Sequence, residues 1–375
     1  MSAAMVHAFS ATDHAMMARA LRLAEKGTYT TKPNPMVGCV IAHGDEVVGE
    51  GFHQRAGEPH AEVFALREAG ERARGATAYV TLEPCAHSGR TPPCGEALVE
   101  AGITRVVAAC GDPFEHVAGK GFDMLRTAGI AVDVGLMEAQ GRALNRGFFA
   151  RIERGRPWLR VKLAMSLDGH TALASGESHW ISSEASRADV QRWRARCGAL
   201  LTASGTVLAD DPRLTVRMDD DAAFVAPLRV VLDPGLAIPE DSHILDGSAP
   251  TLLLHAPDAR VAAYLRKRDR AMISSHEGML DLDAALKLLA TRGINEVQTE
   301  AGATLCGALL QAGLVDELLL YVVPVLLGAR GRPLFGGWDA ETMAERFDLQ
   351  LVETRTVGTD LRLLLRPKEK EKGSE

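Results

Sequence analysis

The sequence lacks the features that mark secreted and membrane proteins. Its 375 residues include only six cysteines, too few for a disulfide framework in a chain of this length. The first residues contain no basic segment followed by an apolar one, so we predict no secretory signal. The most apolar run, residues 318–329, is too short to span a bilayer and contains Pro324, which predicts a buried strand leading into a loop. We therefore expect a cytoplasmic protein.

An excess of positive charge is also missing. The chain has 42 basic and 49 acidic residues, a formal net charge of −7. This balance argues against a general nucleic-acid-binding protein, which needs a basic face. A small phosphorylated ligand remains compatible with it, because a few arginines are enough to bind one phosphate. With 46% apolar residues and a length typical of two domains, the chain can bury a core in each half.

The first half of the chain alternates predicted helices and strands, which indicates an α/β domain. Gly44 and Asp45 favour a hairpin turn, and Pro59 and Pro93 each suit the first position of a helix. The predicted helices cover residues 15–26 and 121–128 and begin at Pro59 and Pro93, and the predicted strands cover residues 37–42, 46–49, 76–82, 103–110 and 130–134.

A basic segment, residues 142–160, carries Gly155 and Pro157 and predicts a domain boundary near residue 155. A second α/β series follows it, and the charged tail, residues 368–375, is expected to be disordered. The predicted strands cover residues 158–167, 199–203, 228–233, 250–256, 294–300 and 316–323, and the predicted helices cover residues 184–196 and 282–291 and a segment that ends at residue 312.

The strongest functional signal is His60 followed by Glu62, then Cys85 after a proline, then Cys94. One imidazole and two thiolates leave the fourth position of a tetrahedral zinc ion open, which is the catalytic arrangement. Zinc lowers the pKa of a bound water, and Glu62 has the chemistry of a proton shuttle. This order of residues is the signature of nucleobase deaminases, here with a longer insert between the cysteines. We therefore predict a zinc-dependent deaminase.

The spacing of these residues constrains the local structure. Positions two apart do not share a helix face, so His60 and Glu62 can converge only at a helix end, with Pro59 at the first helical position. Cys85 and Cys94 each lie before or at a predicted helix start, where the helix dipole favours a thiolate. The remaining cysteines are expected to be ordinary packing residues: Cys39, Cys110, Cys197 and Cys306.

The second half contains no glycine-rich dinucleotide fingerprint after a strand. It does contain a strand, a turn of small residues and a helix over residues 297–305, where free amides would favour a phosphate. Thr206, Asp210 and Arg217 follow another strand, and Trp180 lies in a polar loop. Ligands of α/β sheets collect at such carboxyl ends of strands.

Three segments resemble the deaminase domain of the bifunctional riboflavin biosynthesis (RibD) family: TKPNPMVGCVI, HQRAGEPHAEV and AYVTLEPCAHSGRTPPCGEAL. The insert HSGRTPP is typical of that family and distinguishes it from cytidine and tRNA deaminases. The resemblance implies removal of the 2-amino group of a diaminopyrimidinone ribosyl phosphate, with zinc on His60, Cys85 and Cys94 and with Glu62 shuttling protons. Asn34 would contact the base, and a role for His87 stays open.

Residues 156–367 resemble the reductase domain of the same family. The resemblance implies an N-terminal cytidine-deaminase-like three-layer domain (1–155) and a C-terminal dihydrofolate-reductase-like domain (156–367), the latter transferring hydride from NADPH to the ribosyl arm. It also implies a homo-oligomer, a dimer or tetramer. The positions that match cofactor contacts are Ala164, Trp180, Thr206, Asp210, Gly302, Ala303, Thr304, Leu305, Cys306, Gly307 and Ala308, and those that match substrate contacts are Ser178, Arg194, Leu214, Arg217 and Glu300.

Several alternatives stay open at this point. Ala303 stands where the family often has proline, and it keeps the turn small. Lys162 and Asp168 could assist protonation, although a strand lysine and a turn aspartate explain them equally well. The second half could sense a nucleotide without reducing anything, and the first could edit nucleic acid, although the acidic balance disfavours that. A purely structural zinc site is least favoured, because a fourth protein ligand is missing from the pattern.

Overall fold

The structure is a computed structural model, and it describes residues 9–86, 93–115, 117–178, 181–218, 220 and 222–368. Contacts divide the chain into two compact units, Met1–Arg154 and Gly155–Glu375. The charged tail beyond residue 368 lies outside the described residues, so its predicted disorder stays a prediction. Within the described residues, each helix is too short or too polar to cross a membrane.

The first unit is built on one mixed sheet of five strands. The strand order is β2-β1-β3-β4-β5; β1 is antiparallel to both of its neighbours, whereas β3, β4 and β5 are parallel. The elements are α1 (Ala11–Glu25), β1 (Gly38–His43), β2 (Glu46–Phe52), α2 (Ala61–Ala69), β3 (Thr77–Val80), α3 (Cys94–Glu100), β4 (Arg105–Ala108), α4 (Lys120–Thr127), β5 (Ala131–Val134), α5 (Glu138–Leu144) and α6 (Arg146–Arg154).

Helices cover both faces of this sheet, which confirms the predicted three-layer architecture. Along β1, Cys39 and Ile41 pack with α2, α3 and α4, whereas Val40 and Ala42 pack with α1 and with Phe149 of α6. This alternation follows from the two-residue period of a strand that is buried on both sides.

Two helical features of this unit escaped the sequence analysis. Helix α1 begins four residues before the predicted start, because Ser10 and Asp13 form a capping box. The basic segment at the domain boundary contains the end of α5 and all of α6. It is helical because Phe148 and Phe149 are buried against the sheet, while Arg142 lies 4.2 Å over the Phe149 ring.

The second unit is built on a sheet of nine strands in the order β11-β10-β9-β8-β14-β6-β15-β18-β17. The strands from β11 to β15 in this order are parallel, and β18 and β17 are antiparallel to their neighbours. The elements are β6 (Trp158–Ser166), β7 (His170–Ala172), α7 (Glu184–Arg196), β8 (Ala199–Ala203), α8 (Ser204–Asp210), β9 (Leu228–Leu232), β10 (Thr251–His255), β11 (Asp269–Met272), β12 (Ser275–His276), β13 (Met279–Leu280), α9 (Leu282–Thr291), β14 (Glu296–Thr299), α10 (Ala303–Gln311), β15 (Glu317–Val323), β16 (Arg332–Pro333), β17 (Leu349–Val357) and β18 (Asp360–Pro367).

Helices α9 and α10 pack on one face of this sheet, and α7 lies on the other. The predicted strands and the helix over residues 282–291 are confirmed, although strand ends shift by up to two residues. The hairpin of β17 and β18 was missed because β17 is almost wholly exposed and shows no alternation of buried and exposed residues.

The face of this sheet towards α7 carries a buried ion-pair cluster. Arg160 is fully buried; its Nε donates to Glu317 at 2.8 Å and its Nη2 to Glu296 at 3.3 Å. Its guanidinium also lies 4.4 Å over the Trp193 ring. Glu296 also accepts from Arg196 at 2.9 Å, whereas the fully buried Glu317 has Arg160 as its closest cation, with Arg366 3.6 Å away.

Replacing Arg160 by Met should therefore lower the free energy of unfolding of the second unit by about 3–5 kcal/mol, because it removes the closest cation from the fully buried carboxylate of Glu317. Urea titration measures the change. Arg292→Met is the matched control: Arg292 pairs with Asp269 at 2.6 Å, but the two side chains are 33% and 49% exposed, so its loss should cost about 1 kcal/mol or less. Equal shifts of the two unfolding midpoints would contradict the account.

Candidate functional site

Strand register brings four chain segments to one edge of the first sheet. Gly38 at the start of β1 pairs with Phe52 at the end of β2, and Cys39 pairs with Val80 at the end of β3. The segment that precedes β1 and the segments that follow β2, β3 and β4 therefore meet at this edge. They include Asn34 and Cys85.

The three predicted metal ligands converge there. His60 is the N-cap of α2, and Cys94 is the first residue of α3. His60 Nδ1 lies 3.2 Å from Cys94 Sγ and 3.6 Å from Cys85 Sγ, and the three ligand atoms lie within 4.8 Å of one another. Pro59 is not the first helical residue as predicted, because α2 begins at Ala61 and His60 caps it in an extended conformation.

These residues fit a zinc ion. Zinc–nitrogen and zinc–sulfur bonds in a tetrahedral site place ligand atoms about 3.6–3.8 Å apart, close to the observed spacing. The Cys94 thiol and the His60 ring lower the pKa of Cys85 to about 4, while burial opposes them. The hydrogen bond with Cys85 raises the pKa of His60. One imidazole nitrogen beside two cysteine sulfurs is the donor set of a catalytic zinc site.

Glu62 lies beside these ligands and is only 3% exposed. Its Oε2 atom has no hydrogen-bond partner within the described residues. Burial raises the pKa of Glu62 to about 7, against the opposing attraction of His60. A carboxyl with a pKa near neutrality can both take up and release a proton, which suits a general acid and base.

His53 is a further residue of this site that was not predicted from the sequence. His53 follows β2 and is 2% exposed; its Nε2 lies 3.1 Å from Asn34 Nδ2, and its ring stacks edge-on against His60 at 5.3 Å. Burial lowers the pKa of His53. Its position in the HQRAGEPHAEV segment was the available signal, but the contact with Asn34 depends on strand register. His87 lies outside the described residues.

A second group of site residues meets at the carboxyl edge of the other sheet. Glu300 follows β14, and both of its oxygens accept hydrogen bonds from Arg194 at 2.7 Å. Gln298 also donates to Glu300, at 2.9 Å. Although burial opposes its charged form, Arg194 holds the pKa of Glu300 at about 2. Burial lowers the pKa of the neighbouring Lys162, although the negative charge of Glu300 acts to raise it.

The structure brings part of the predicted substrate set to this pair. Arg194 Nη1 donates to the carbonyl of Thr215, which follows Leu214, and the Arg217 amide donates to Gln191 of α7. Leu214 is buried with a φ of 46°, an uncommon conformation for a leucine. Arg217 is exposed and lines a shallow pocket with Arg192. Ser178 is described, but no contact joins it to this group.

The start of α10 fits a phosphate of the predicted NADPH. Gly302 is the N-cap without a side-chain cap, and a Cβ added there would meet open space. The first amides of the helix, those of Ala303 to Leu305, have no partner inside it. The later residues of the run differ: Cys306 packs its side chain into the core, and a Cβ on Gly307 would lie 1.9 Å from the Gly336 carbonyl oxygen.

Three of the other predicted cofactor positions lie towards the carboxyl edge of the second sheet. Ala164 is on β6, opposite Tyr321 of β15, and Thr206 and Asp210 are on α8, directly after β8. Ala308 is within α10, and Trp180 lies outside the described residues. Asp168 accepts hydrogen bonds from the amides of Leu327 and Gly328. Its carboxylate therefore joins two loops, which favours a structural role over a role in protonation.

Comparisons with known proteins agree for both units. Residues 10–110 match the cytidine and deoxycytidylate deaminase zinc-binding region, and residues 157–363 match the RibD C-terminal domain. The riboflavin biosynthesis protein RibD of Escherichia coli is 49% identical and that of Haemophilus influenzae 45%, over 94% and 96% of this chain and 99% of each relative.

Solved structures give the same result. Acinetobacter baumannii RibD has a TM-score of 0.89 at 46% identity and covers 96% of this chain and 99% of its own. A diaminohydroxyphosphoribosylaminopyrimidine deaminase/5-amino-6-(5-phosphoribosylamino)uracil reductase of Thermotoga maritima has a TM-score of 0.84 at 30% identity, over 95% of this chain and 99% of its own. The predicted pairing of a deaminase-like with a reductase-like fold is confirmed.

In the zinc-free protein, Glu62→Gln should remove a pH dependence of stability. Because the folded-state pKa of about 7 lies above the usual 4.5, the folded state holds a proton that the unfolded chain releases. The stabilisation is fully present below about pH 4.5 and lost as the pH rises to about 7. Relative to the variant, the wild type should lose about 3 kcal/mol over this window.

Urea titrations of both proteins across this range measure the difference. Since His60 and Cys85 titrate in both proteins, their contributions largely cancel. Parallel stability curves for the wild type and the variant would contradict the shifted pKa of Glu62.

Proposed function

The chain belongs to the RibD family of riboflavin biosynthesis proteins, and we propose that the two groups of residues described above are the active sites of its two reactions. The chain is a bifunctional deaminase and reductase. It removes the 2-amino group of 2,5-diamino-6-(5-phosphoribosylamino)pyrimidin-4-one and then reduces the ribosyl arm to ribityl with NADPH. The observation that carries the proposal is the convergence of His60, Cys85 and Cys94 beside a buried carboxyl.

In the deaminase site, His60, Cys85 and Cys94 would hold zinc, which would supply an activated water. Glu62 takes a proton from the attacking water and delivers it to the leaving amino group. A pKa of about 7 suits both steps. Asn34 orients the pyrimidine through its amide, and the short contact of Asn34 with His53 Nε2 fixes that amide.

In the reductase site, NADPH supplies the hydride. The amides at the start of α10 hold its phosphate, and Ala164, Trp180, Thr206 and Asp210 contribute further contacts. Glu300 binds hydroxyl or amino groups of the substrate, because its charge is already fixed by Arg194. Arg217 is exposed and free to meet the substrate phosphate, together with Ser178 and Leu214.

The deaminase activity is assigned to residues 1–155 and the reductase activity to residues 156–367. We place the protein in the cytoplasm as a homo-oligomer, a dimer or tetramer, acting on a small phosphorylated pyrimidine rather than on nucleic acid. The formal net charge of −7 supports the last point. A second unit that only senses a nucleotide is not favoured, because the match to the RibD C-terminal domain covers residues 157–363.

Variants of the two sites should block separate steps. Glu62→Gln should lower ammonia release by about 10²–10⁴-fold, the contribution of a proton shuttle. Glu300→Gln should keep ammonia release and slow NADPH oxidation by about 10–100-fold, the cost of weakening a hydrogen bond to a charged group. Mixing the two variants should restore both steps, with NADPH oxidation lagging behind ammonia.

Glu46→Gln, at an exposed carboxyl of β2, is the control for charge removal and should change neither rate. Loss of NADPH oxidation in Glu62→Gln when deaminated substrate is supplied would contradict separate sites. Ammonia release at the wild-type rate from Glu62→Gln would remove Glu62 from the mechanism.

A further inference from the structure

Glu83 is a buried carboxylate that neither proposed reaction uses. It lies two residues before Cys85 and is 5% exposed. Its Oε1 accepts from the amides of Gly121 at 2.9 Å and Phe122 at 3.4 Å, and its Oε2 from those of Gly119 at 3.1 Å and Asp112 at 3.2 Å. Through these four hydrogen bonds, the Glu83 carboxylate holds backbone that lies more than 25 residues further along the chain.

These contacts make Glu83 the cap of α4. The helix's own N-cap residue is Gly119, in a left-handed conformation with no capping side chain. Glu83 accepts from the amide of this N-cap and from those of the second and third helical residues, which lack partners inside a helix. A carboxylate at this position is also favoured by the helix dipole. The start of α4 is thus fastened to the segment that carries Cys85.

Packing of α4 against α3 links the Glu83 contacts to Cys94. A Cβ on Gly95 would lie 2.8 Å from the sulfur of Met124 on α4, so α4 rests directly against the first turn of α3. The Gly95 amide donates to the Cys85 carbonyl at 3.1 Å. On the other side, a Cβ on Gly121 would lie 1.9 Å from the Pro84 carbonyl oxygen, so the helix approaches the Cys85 segment as closely as its backbone allows.

We propose that Glu83 is a positioning residue for the metal site: by capping α4, it fixes the spacing between the Cys85 and Cys94 sulfurs. Glu83 itself binds neither metal nor substrate. Groups one step removed from metal ligands commonly set metal affinity, and their loss typically weakens it 10–100-fold. This inference rests on the zinc site proposed above.

Glu83→Gln tests it in the full-length protein. The amide matches the carboxylate in size but turns an NH₂ group towards backbone N–H donors. We expect zinc release to a chelator to become about 10–100-fold faster, and the visible absorption bands of the cobalt-substituted protein to shift. Ammonia release should slow, whereas NADPH oxidation with deaminated substrate should stay at the wild-type rate, since that step belongs to the other unit.

Ser10→Ala is the matched control, because it removes the cap of α1 in the same unit. It should lower the unfolding temperature without changing zinc release or the cobalt spectrum. Gly121→Ala would push α4 away from the Cys85 segment without changing the carboxylate, so it should also speed zinc release. This second variant still tests the inference if Glu83→Gln does not fold.

Zinc release and cobalt spectra of Glu83→Gln and Gly121→Ala equal to those of the wild type would overturn this inference and leave the zinc site standing. A wild-type protein that takes up no zinc would overturn both. The same loss of zinc in Ser10→Ala as in Glu83→Gln would also overturn it, because general destabilisation would then explain the effect.

Discussion

The deaminase unit depends on the contact between the Cys85 segment and the start of α3. The Cys94 amide donates to Cys85 Sγ at 3.3 Å, and the next amide, that of Gly95, donates to the Cys85 carbonyl at 3.1 Å. Two free helix amides are thereby used to hold the loop that carries one metal ligand against the helix that carries the other. His60 completes the set from the start of a second helix. These contacts hold the three donor atoms within 4.8 Å of one another, at the spacing that a metal site needs.

The two units use carboxyl groups in opposite ways. Glu62 lies in the first turn of α2 and Glu300 directly after β14, and both are shielded from water. Burial raises the pKa of Glu62 to about 7, whereas Arg194 holds that of Glu300 at about 2. The first group can exchange a proton at neutral pH, and the second remains a fixed negative charge that binds. The difference in environment therefore suits Glu62 to proton transfer and Glu300 to binding the substrate.

The sequence was sufficient where chemistry is encoded locally. The spacing of His60, Glu62, Cys85 and Cys94 predicted the metal site, and the resemblance supplied the reductase fold. Contacts between distant segments could not be read in this way. Arg194 and Glu300 are 106 positions apart, and their pairing depends on the order of strands in a nine-stranded sheet. The Asn34–His53 contact depends on register, and the capping of α4 by Glu83 leaves no pattern that a local reading detects.

The central claim is that one chain carries out deamination and then reduction of the same substrate. The most direct test follows ammonia release and NADPH absorbance together in one sample of zinc-loaded wild-type protein given the diaminopyrimidinone ribosyl phosphate. We predict that ammonia appears first, that NADPH oxidation follows after a lag, and that the two reach equal amounts. NADPH oxidation that precedes ammonia, or ammonia release with no NADPH oxidation at all, would contradict the account.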